Sequence, residues 1–330
     1  MFKNITSPYI IAEIGTNHYG KIYKAKQLVK IAKQSGCNAV KFQSWDKTMW
    51  SDDFLEKNPA LLKDIKKLSI DFKFLKKIKN YCKKIKIDFA STPFSTRQVD
   101  ELVKLKPAFI KIASMDIVNI NLIKYCIKFK FPILISTGLA TLSEIMEVNK
   151  LLKKAKKKNS AFLHCVSIYP PTDKELNMLN IKYLKKKVDF PVGFSDHSEG
   201  SISAIQAVSF GSNIFEKHIT YDKKSGGPDS AFAANPKDLK EYVKNIHKAK
   251  DGLGNFSRKL SNKEKNIKKV MRRSAFITKD INKGDKLSWK NIIMQRPGGG
   301  LEYKQLKILI KKKINYNLLR GTRLKKNHFI

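Results

Sequence analysis

The sequence predicts an α/β fold: a (β/α)8 (TIM) barrel followed by a small β-rich domain. The hydrophobic pattern alternates between short runs rich in β-branched residues and longer amphipathic segments, which is typical of βα units around a parallel sheet. Eight such units fit into about 250 residues, the usual size of this barrel. A shorter segment with strand and turn patterns follows them.

Eight strands can be assigned along the 330-residue chain. Each is a short apolar run that ends in polar residues. They are Tyr9 to Gly15, Ala39 to Ser44, Asp88 to Phe94, Phe109 to Ser114, Pro132 to Thr137, Ala161 to Ser167, Pro191 to Asp196 and Ile214 to Thr220. Helical patterns lie between them, and a last one covers 237–250. We therefore expect residues 1–254 to form the barrel.

The C-terminal part of the chain has a different composition. Residues 255–272 are polar and rich in Lys and Asn, which indicates a linker. Residues 273–330 contain strand-like runs, a turn at 282–285 and the loop Arg296-Pro-Gly-Gly-Gly300. A domain this small buries little core, so we expect it to pack against another surface, with Arg296 held out on its loop.

The charge of the chain is strongly positive. The sequence has 67 Lys and Arg against 28 Asp and Glu, a formal net charge of +39. Such a charge suggests a nucleic-acid or anionic-surface partner. Only seven of the basic residues are Arg, however, although base and phosphate recognition favours Arg, and most Lys lie on polar helix faces. We interpret the charge as solvated surface and expect no nucleic-acid partner.

Cysteine and apolar patterns give no sign of export or membrane insertion. Cys37, Cys82, Cys126 and Cys165 are widely spaced and form no C-x-x-C pair, so neither a disulfide framework nor a zinc knuckle is predicted. No signal-like start and no apolar run of membrane-spanning length are present. The expectation is a cytoplasmic protein without a membrane partner.

Polar residues close the predicted strands, and in a barrel of this kind the active site lies at those ends. Alternation places Glu216 on the same strand face as His218. The strand-end residues are Glu13, Lys41, Gln43, Thr92, Lys111, Ser114, Ser136, Ser167, Tyr169, Ser195, His197, Glu216 and His218. A buried charge without a partner is costly, so these charges indicate either a site or structural ion pairs across the barrel.

The residue types at this edge suggest a particular chemistry. His197 and His218 end consecutive strands and can bind a divalent ion that leaves positions open for a substrate oxygen. The alternative is two histidines that are simply hydrogen-bonded. Lys ammonium groups and Ser or Thr hydroxyls suit a phosphate. Together they indicate a phosphorylated anion that meets a polarised carbonyl.

Seven ordered motifs carry a family resemblance. They are Ile11-Ala-Glu-Ile-Gly-Thr-Asn-His18, Val40-Lys-Phe-Gln43, Ser91-Thr-Pro-Phe94, Lys111-Ile-Ala-Ser114, Ser136-Thr-Gly138, Phe194-Ser-Asp-His197 and Glu216-Lys-His218. This set resembles the sialic acid synthases (N-acetylneuraminate, pseudaminate and legionaminate synthases). Residues 273–300 are similar to their C-terminal antifreeze-like (β-clip) domain.

The resemblance implies condensation of phosphoenolpyruvate (PEP) with an N-acetylated mannosamine-type or 6-deoxy-di-N-acetyl hexose. The products would be a nine-carbon 2-keto sugar acid and phosphate. It also implies Mn²⁺ or Mg²⁺ bound by His197 and His218, Glu13 as general base, and a domain-swapped homodimer in which Arg296 enters the neighbouring site. The implied PEP residues are Lys41, Thr92, Lys111, Ser114, Ser136, Ser167, Tyr169 and Ser195, and the implied sugar residues are Gln43, Asp116, Tyr169, Asp229 and Arg296.

Two departures concern the sugar. Ser167 stands where the N-acetylneuraminate enzyme has Asn, and Asp116 stands where it has Glu. The segment 226–232 is similar to relatives that make pseudaminic or legionaminic acids. A rival interpretation is a Schiff-base aldolase that uses Lys111 or Lys217. Alternation should point Lys217 away from His218, which weakens that alternative.

Overall fold

The computed structural model describes residues 1–330, which divide into two compact units, Met1–Gly254 and Asn255–Ile330. In the first unit, eight parallel strands pair in chain order, and the last pairs with the first to close a barrel. The second unit contains a two-stranded antiparallel sheet. The predicted fold class, a (β/α)8 barrel followed by a small β-containing unit, is confirmed.

The strands coincide with the predicted runs and are slightly shorter at their ends. They are β1 Tyr9–Gly15, β2 Ala39–Gln43, β3 Asp88–Thr92, β4 Ile110–Ile112, β5 Ile133–Ser136, β6 Ala161–Cys165, β7 Val192–Asp196 and β8 Ile214–His218.

Helices follow the strands, and the connection after β2 is the most elaborate because it carries two extra short helices, α2 and α3. The helices of this unit are α1 Ile22–Gln34, α2 Asp52–Glu56, α3 Pro59–Leu68, α4 Phe72–Ile85, α5 Thr96–Lys104, α6 Ile120–Ile127, α7 Leu142–Lys154, α8 Asn180–Lys187, α9 Ile202–Ser209 and α10 Pro236–Leu253. Short 3-10 turns occur at Phe2–Asn4, Lys47–Met49 and Ser114–Asp116. No helix of the chain is both long and apolar enough to span a membrane.

Strand alternation divides the apolar residues between two cores. Outward residues such as Val40, Phe89 and Phe215 belong to the large core that includes the helices. The alternate residues form a separate apolar cluster within the barrel: Phe2, Ile11, Ala39, Ala90, Phe109, Leu134, Ala161, Leu163 and Ile214. Phe2 precedes β1 and packs edge to face on Phe109, with ring centroids 5.6 Å apart. This cluster forms an apolar floor inside the barrel.

The second unit has its own core. Its elements are α11 Asn262–Met271, β9 Ser274–Ile277, β10 Ile292–Gln295 and α12 Tyr303–Leu309, with 3-10 turns at Trp289–Asn291 and Lys326–His328. Ile277, Leu306 and Leu324 are among its buried apolar residues. The segment 255–272, predicted as a linker, contains α11. That helix begins with a reciprocal capping box between Ser261 and Glu264, a local signal that the Lys-rich composition obscured.

Gly193 provides a test of packing inside the barrel. A Cβ on Gly193 would lie 2.4 Å from the carbonyl oxygen of Ile214 and 2.7 Å from a methyl carbon of Leu163. We expect Gly193→Ala to lower the free energy of unfolding by about 1–3 kcal/mol through overpacking. Gly252→Ala, in α10 with no atom near its Cβ, is the matched control and should be neutral or stabilising. Denaturant unfolding measures both, and equal stabilities of the two variants would contradict this account.

Candidate active site

Directly above the apolar floor lies a ring of inward side chains, one from each strand. Seven of them follow a residue of the floor by two positions, as strand alternation requires, and the one from β7 follows Gly193 in the same way. The ring consists of Glu13, Lys41, Thr92, Lys111, Ser136, Cys165, Ser195 and Glu216. Apart from Cys165 it is entirely polar, so the barrel interior changes from apolar to charged within one layer.

The four charges of this ring form a buried network. Lys41 Nζ lies 2.6 Å from Glu13 Oε2 and 3.9 Å from Glu216 Oε2, and Lys111 Nζ lies 3.5 Å from Glu216 Oε1. All four side chains are almost completely shielded from solvent. Structural ion pairs across the barrel, weighed as an alternative from the sequence, are therefore present. Lys41, Lys111 and Glu216 also line a cavity, so these charges form structural ion pairs and are at the same time part of a candidate site.

Burial and the neighbouring charges shift the pKa values of the charged ring residues in opposite directions. Burial raises the pKa of Glu13, and the Lys41 ammonium opposes that rise. Burial alone would raise the pKa of Glu216 as well, but Lys111 and Lys41 lower it to about 2. Burial lowers the pKa of Lys111. Glu216 is thus held ionised, whereas Glu13 has the greater affinity for a proton, as a general base requires.

A cavity of about 380 Å³ lies at the C-terminal end of the barrel. Its walls combine ring residues with side chains from the following loops. The lining residues are Lys41, Gln43, Trp45, Thr92, Phe94, Lys111, Ala113, Ser114, Met115, Ser136, Leu139, Cys165, Ser167, Tyr169, Ser195, His197, Glu216, His218, Pro228, Asp229 and Phe232. Residues at the ends of β2 to β8 therefore meet in one cavity.

Hydroxyl groups cluster beside the two lysines. Lys111 Nζ donates to Ser136 Oγ at 2.7 Å, and Lys41 Nζ donates to Thr92 Oγ1 at 3.2 Å. A Cβ on Gly138 would lie 2.3 Å from Ser167 Oγ and 2.7 Å from Ser114 Oγ, so a larger residue here would displace these hydroxyls. Ammonium groups and hydroxyls are good donors to phosphate oxygens. This side of the cavity can bind an anion.

The two histidines face each other across the ends of β7 and β8, with ring centroids 5.4 Å apart. His197 Nδ1 lies 2.8 Å from the carbonyl oxygen of Val166; a carbonyl only accepts, so this nitrogen donates and leaves Nε2 free as a ligand. His218 Nδ1 is buried without a hydrogen-bond partner. Burial lowers the pKa of His218 to about 3, which keeps it in the neutral form that binds metals.

These two imidazoles fit a divalent ion but cannot complete its coordination. The chain has no group of three or more His, Cys, Asp and Glu side chains arranged to hold a metal. The remaining ligands would be oxygens of substrate or water, which is the open arrangement of a catalytic rather than a structural site.

The wall of the cavity beside His197 is aromatic. The ring of Tyr169 lies 4.3 Å from that of His197 and 4.9 Å from that of Phe232, centroid to centroid. Asp229 Oδ2 accepts hydrogen bonds from the amide and hydroxyl of Thr16, at 3.3 and 3.2 Å, and lies 3.7 Å from His218 Nδ1. A carboxylate beside aromatic faces suits a polar ligand that also has apolar groups.

Three predicted site residues lie outside the lining of this cavity. Glu13 is fully buried in the ring, where Gln43 Nε2 donates to its Oε1 at 2.8 Å. Asp116 follows Ser114 on a 3-10 turn, and its carboxylate faces Asn119 at 3.4 Å, away from the lining. Arg296 belongs to the second unit and is exposed.

The cavity also contains residues that the predicted site lacked. Glu216 was recognised as a strand-end charge but was assigned no role, although its alternation with His218 was a sufficient signal. Trp45, Leu139 and Phe232 come from loops after strand ends. No pattern in a single sequence marks such loop residues, because their positions depend on how each loop folds.

Comparison with known proteins agrees with this geometry. The model of the NeuB family matches residues 28–258. An N,N'-diacetyllegionaminic acid synthase of Legionella pneumophila is 32% identical over 97% of this chain and 94% of its own length. A pseudaminic acid synthase of Campylobacter jejuni is 33% identical over 97% of this chain and 96% of its own.

A solved structure shows the same fold. The N-acetylneuraminic acid synthetase of Leptospira borgpetersenii, crystallised with citrate, superposes with a TM-score of 0.73 and 32% identity, covering 79% of this chain and 90% of that one. The resemblance to sialic acid synthases that the seven motifs indicated is thereby confirmed. The chain belongs to the NeuB family.

Proposed function

We propose that this protein condenses PEP with an N-acetylated hexose to give a nine-carbon, sialic-acid-like 2-keto sugar acid and phosphate. The observation that carries the proposal is the division of one cavity into two ends. One end has two buried ammonium groups with hydroxyls, and the other has a histidine pair beside aromatic residues. Relatives named as legionaminic and pseudaminic acid synthases, each at least 32% identical over most of the chain, support the same reaction class.

The lysine end suits PEP. Lys41 and Lys111 supply positive charge, and the hydroxyls of Thr92, Ser136 and Ser195 are oriented by the lysines or by Glu216. Ser114 and Ser167 complete the set around Gly138. Preorganised donors of this kind need little rearrangement when the anion arrives.

The histidine end suits the sugar aldehyde. His197 and His218 would hold Mn²⁺ or Mg²⁺, which would supply Lewis-acid polarisation of the aldehyde oxygen. Tyr169, Gln43 and Asp229 lie close enough to contact the rest of the sugar. The sugar is an N-acetylated hexose, and the relatives include proteins named as legionaminic and pseudaminic acid synthases.

Glu13 would act as the base. The methylene carbon of PEP forms the new C–C bond with the aldehyde carbon, which leaves a cationic centre at C2. The aldehyde oxygen becomes an alkoxide, and water adds to the cationic centre and gives one proton to the Glu13 carboxylate. Collapse of this intermediate forms the C2 carbonyl, breaks the C–O bond to phosphate and releases the second proton of the water. The two protons end on the new hydroxyl group and on the released phosphate. Gln43 and Lys41 fix the carboxylate through contacts of 2.8 and 2.6 Å. Such positioning favours proton transfer at a defined point.

Sugar binding would be completed by a second subunit. Apolar side chains at the strand-end loops are strongly exposed, among them Met115 at 58% and Leu139 at 78%, both of which line the cavity. Exposed apolar surface at a binding site is typical of a covered interface. We propose a domain-swapped homodimer in which Arg296 of the partner subunit reaches the sugar's N-acetyl group.

Direct assay tests the reaction. With PEP, Mn²⁺ and candidate N-acetylated hexoses, we expect release of phosphate and a product whose mass equals hexose plus the pyruvate unit. Chelation should abolish turnover if the histidine site binds the metal. Trapping of an adduct at Lys111 by borohydride, with activity that resists chelator, would instead establish the Schiff-base aldolase. Absence of any product with every hexose would contradict the proposal.

Substitution of Glu13 tests the base. Glu13→Gln keeps the shape but removes the proton acceptor, so kcat should fall on the order of 10²-fold or more while PEP affinity changes little. Lys41 would remain paired with Glu216 in this variant. Glu147→Gln, on the exposed surface of α7, is the matched control and should behave as wild type. A wild-type kcat in Glu13→Gln would remove Glu13 from the mechanism.

Mixing two inactive variants tests the dimer. Glu13→Gln and Arg296→Ala should each be impaired, yet a hybrid dimer has one site with both residues intact. With equal mixing and free exchange, about a quarter of wild-type activity should return. The control mixes Glu13→Gln with the double variant Glu13→Gln/Arg296→Ala, whose hybrids have no intact site. If exchange is demonstrated and both mixtures stay inactive, Arg296 does not act in trans.

A further inference from the structure

A second buried charge pair lies just outside the barrel interior, directly behind the two histidines. Asp196 is the last residue of β7, and Lys217 precedes His218 at the end of β8. Lys217 Nζ lies 3.3 Å from Asp196 Oδ2, and the two side chains are 3% and 0% exposed. As alternation predicted, Lys217 points away from His218. It lies 5.2 Å from the ring centroid of Tyr242 in α10, so it is not available as a Schiff-base lysine in the cavity.

Hydrogen bonds from this pair fix the turn that follows β7. Asp196 Oδ1 accepts from the amide of Ser198 at 2.9 Å and from its hydroxyl at 2.6 Å. Asp196 Oδ2 accepts from Ser203 Oγ, in α9, at 3.3 Å. Lys217 Nζ donates to the carbonyl oxygen of Ser198. Asp196 and Lys217 therefore both bind the turn at residues 196–198. His197 is the middle residue of that turn.

The pair also fixes the two strand ends relative to each other. Asp196 and Lys217 are register partners in the β7–β8 ladder. Each is followed at once by one of the histidines, His197 and His218. Any shift of either strand end would change the 5.4 Å separation of the imidazole rings, and metal affinity depends on that separation.

The cost of this pair argues for a role beyond stability. Two charges are removed from water here, and replacing such a pair with uncharged residues of similar shape is often neutral for folding. What uncharged residues cannot reproduce is the set of bonds that Asp196 and Lys217 jointly make to the 196–198 turn. The network satisfies nearly all of their hydrogen-bonding capacity, which is the condition for a rigid buried site.

We propose that Asp196 and Lys217 are positioning residues that hold His197 and His218 at the spacing required for a divalent ion. This inference rests on the proposed function only in so far as that function assigns the two histidines to the metal. Neither Asp196 nor Lys217 touches the substrates; they act through the backbone turn and the strand register.

Mn²⁺ titration of the protein without substrates tests this directly, with free Mn²⁺ followed by electron paramagnetic resonance. The double variant Asp196→Asn/Lys217→Met removes both charges, so it should fold with a thermal midpoint close to wild type. Its Mn²⁺ dissociation constant should nevertheless rise by about 10-fold or more. The single variant Lys217→Met leaves Asp196 unpaired and should lose both stability and affinity. Stability regained in the double variant without regained affinity is the signature of positioning.

A matched control lies at the other end of β7. Asp189, just before that strand, forms an exposed pair with Lys153 of α7, with Nζ and Oδ1 2.8 Å apart. Lys153→Met/Asp189→Asn should leave the Mn²⁺ dissociation constant unchanged. Ser203→Ala keeps both buried charges and removes only the contacts of the Ser203 hydroxyl with Ser198 Oγ and Asp196 Oδ2, at 2.6 and 3.3 Å, so it should fold and raise the constant by a smaller factor. If the double variant does not fold, the Mn²⁺ dissociation constant of Ser203→Ala tests the positioning role in its place.

The outcomes separate this inference from the metal assignment. If His197→Ala and His218→Ala abolish Mn²⁺ binding but the double variant and Ser203→Ala bind as wild type, the positioning role is wrong and the metal site stands. If the two histidine variants bind Mn²⁺ as well as wild type, or if wild type does not bind it, the metal assignment and the inference both fail.

Discussion

The site depends on four charges that the barrel removes from water. Lys41 lies between Glu13 and Glu216, and Lys111 lies against Glu216 on the other side. An isolated buried charge would cost several kcal/mol, and only mutual pairing offsets that cost. Pairing in turn requires β1, β2, β4 and β8 to keep their register around a closed barrel. The charged ring and the fold therefore depend on each other. The charges are stabilised only when the closed barrel brings them together, and their pairing in turn favours that strand register.

Strand periodicity explains why so much of this could be predicted from the sequence. An inward position recurs every second residue, so Ile11 in the floor predicts Glu13 in the ring, and Glu216 predicts His218 above it. The strand assignments succeeded for this reason, and the strand-end residues meet in one cavity because parallel strands end at one edge. Among the predicted residues beyond the strand ends, Tyr169, His197 and Asp229 line the cavity and Asp116 does not. Asp116 lies on a 3-10 turn, and its carboxylate is directed toward Asn119. No local sequence pattern predicts this orientation of the side chain.

The longer loops and the second unit show the same limit. Trp45 and Phe232 line the cavity from outside the strands: Trp45 lies just after β2, and Phe232 lies in the long connection between β8 and α10. The Lys-rich composition around helix α11 indicates a linker and not a helix. Only the capping box of Ser261 and Glu264 marks the start of this helix in the sequence. In each case tertiary packing or a short capping motif decides the structure, and hydrophobic periodicity, which reports only the buried face, is insensitive to both.

Charge balance within the cavity links the two substrate ends. The carboxylates of Glu13 and Glu216 lie against the two ammonium groups of the ring and offset part of the positive charge that the lysines present to a phosphorylated carboxylate. A divalent ion at His197 and His218, as proposed, would add positive charge in the same low-dielectric space. Binding of the anion and of the cation should then reinforce each other. Such coupling would give a physical reason for placing the proposed anion and metal sites in one cavity, and for supporting the histidines with the buried Asp196–Lys217 pair.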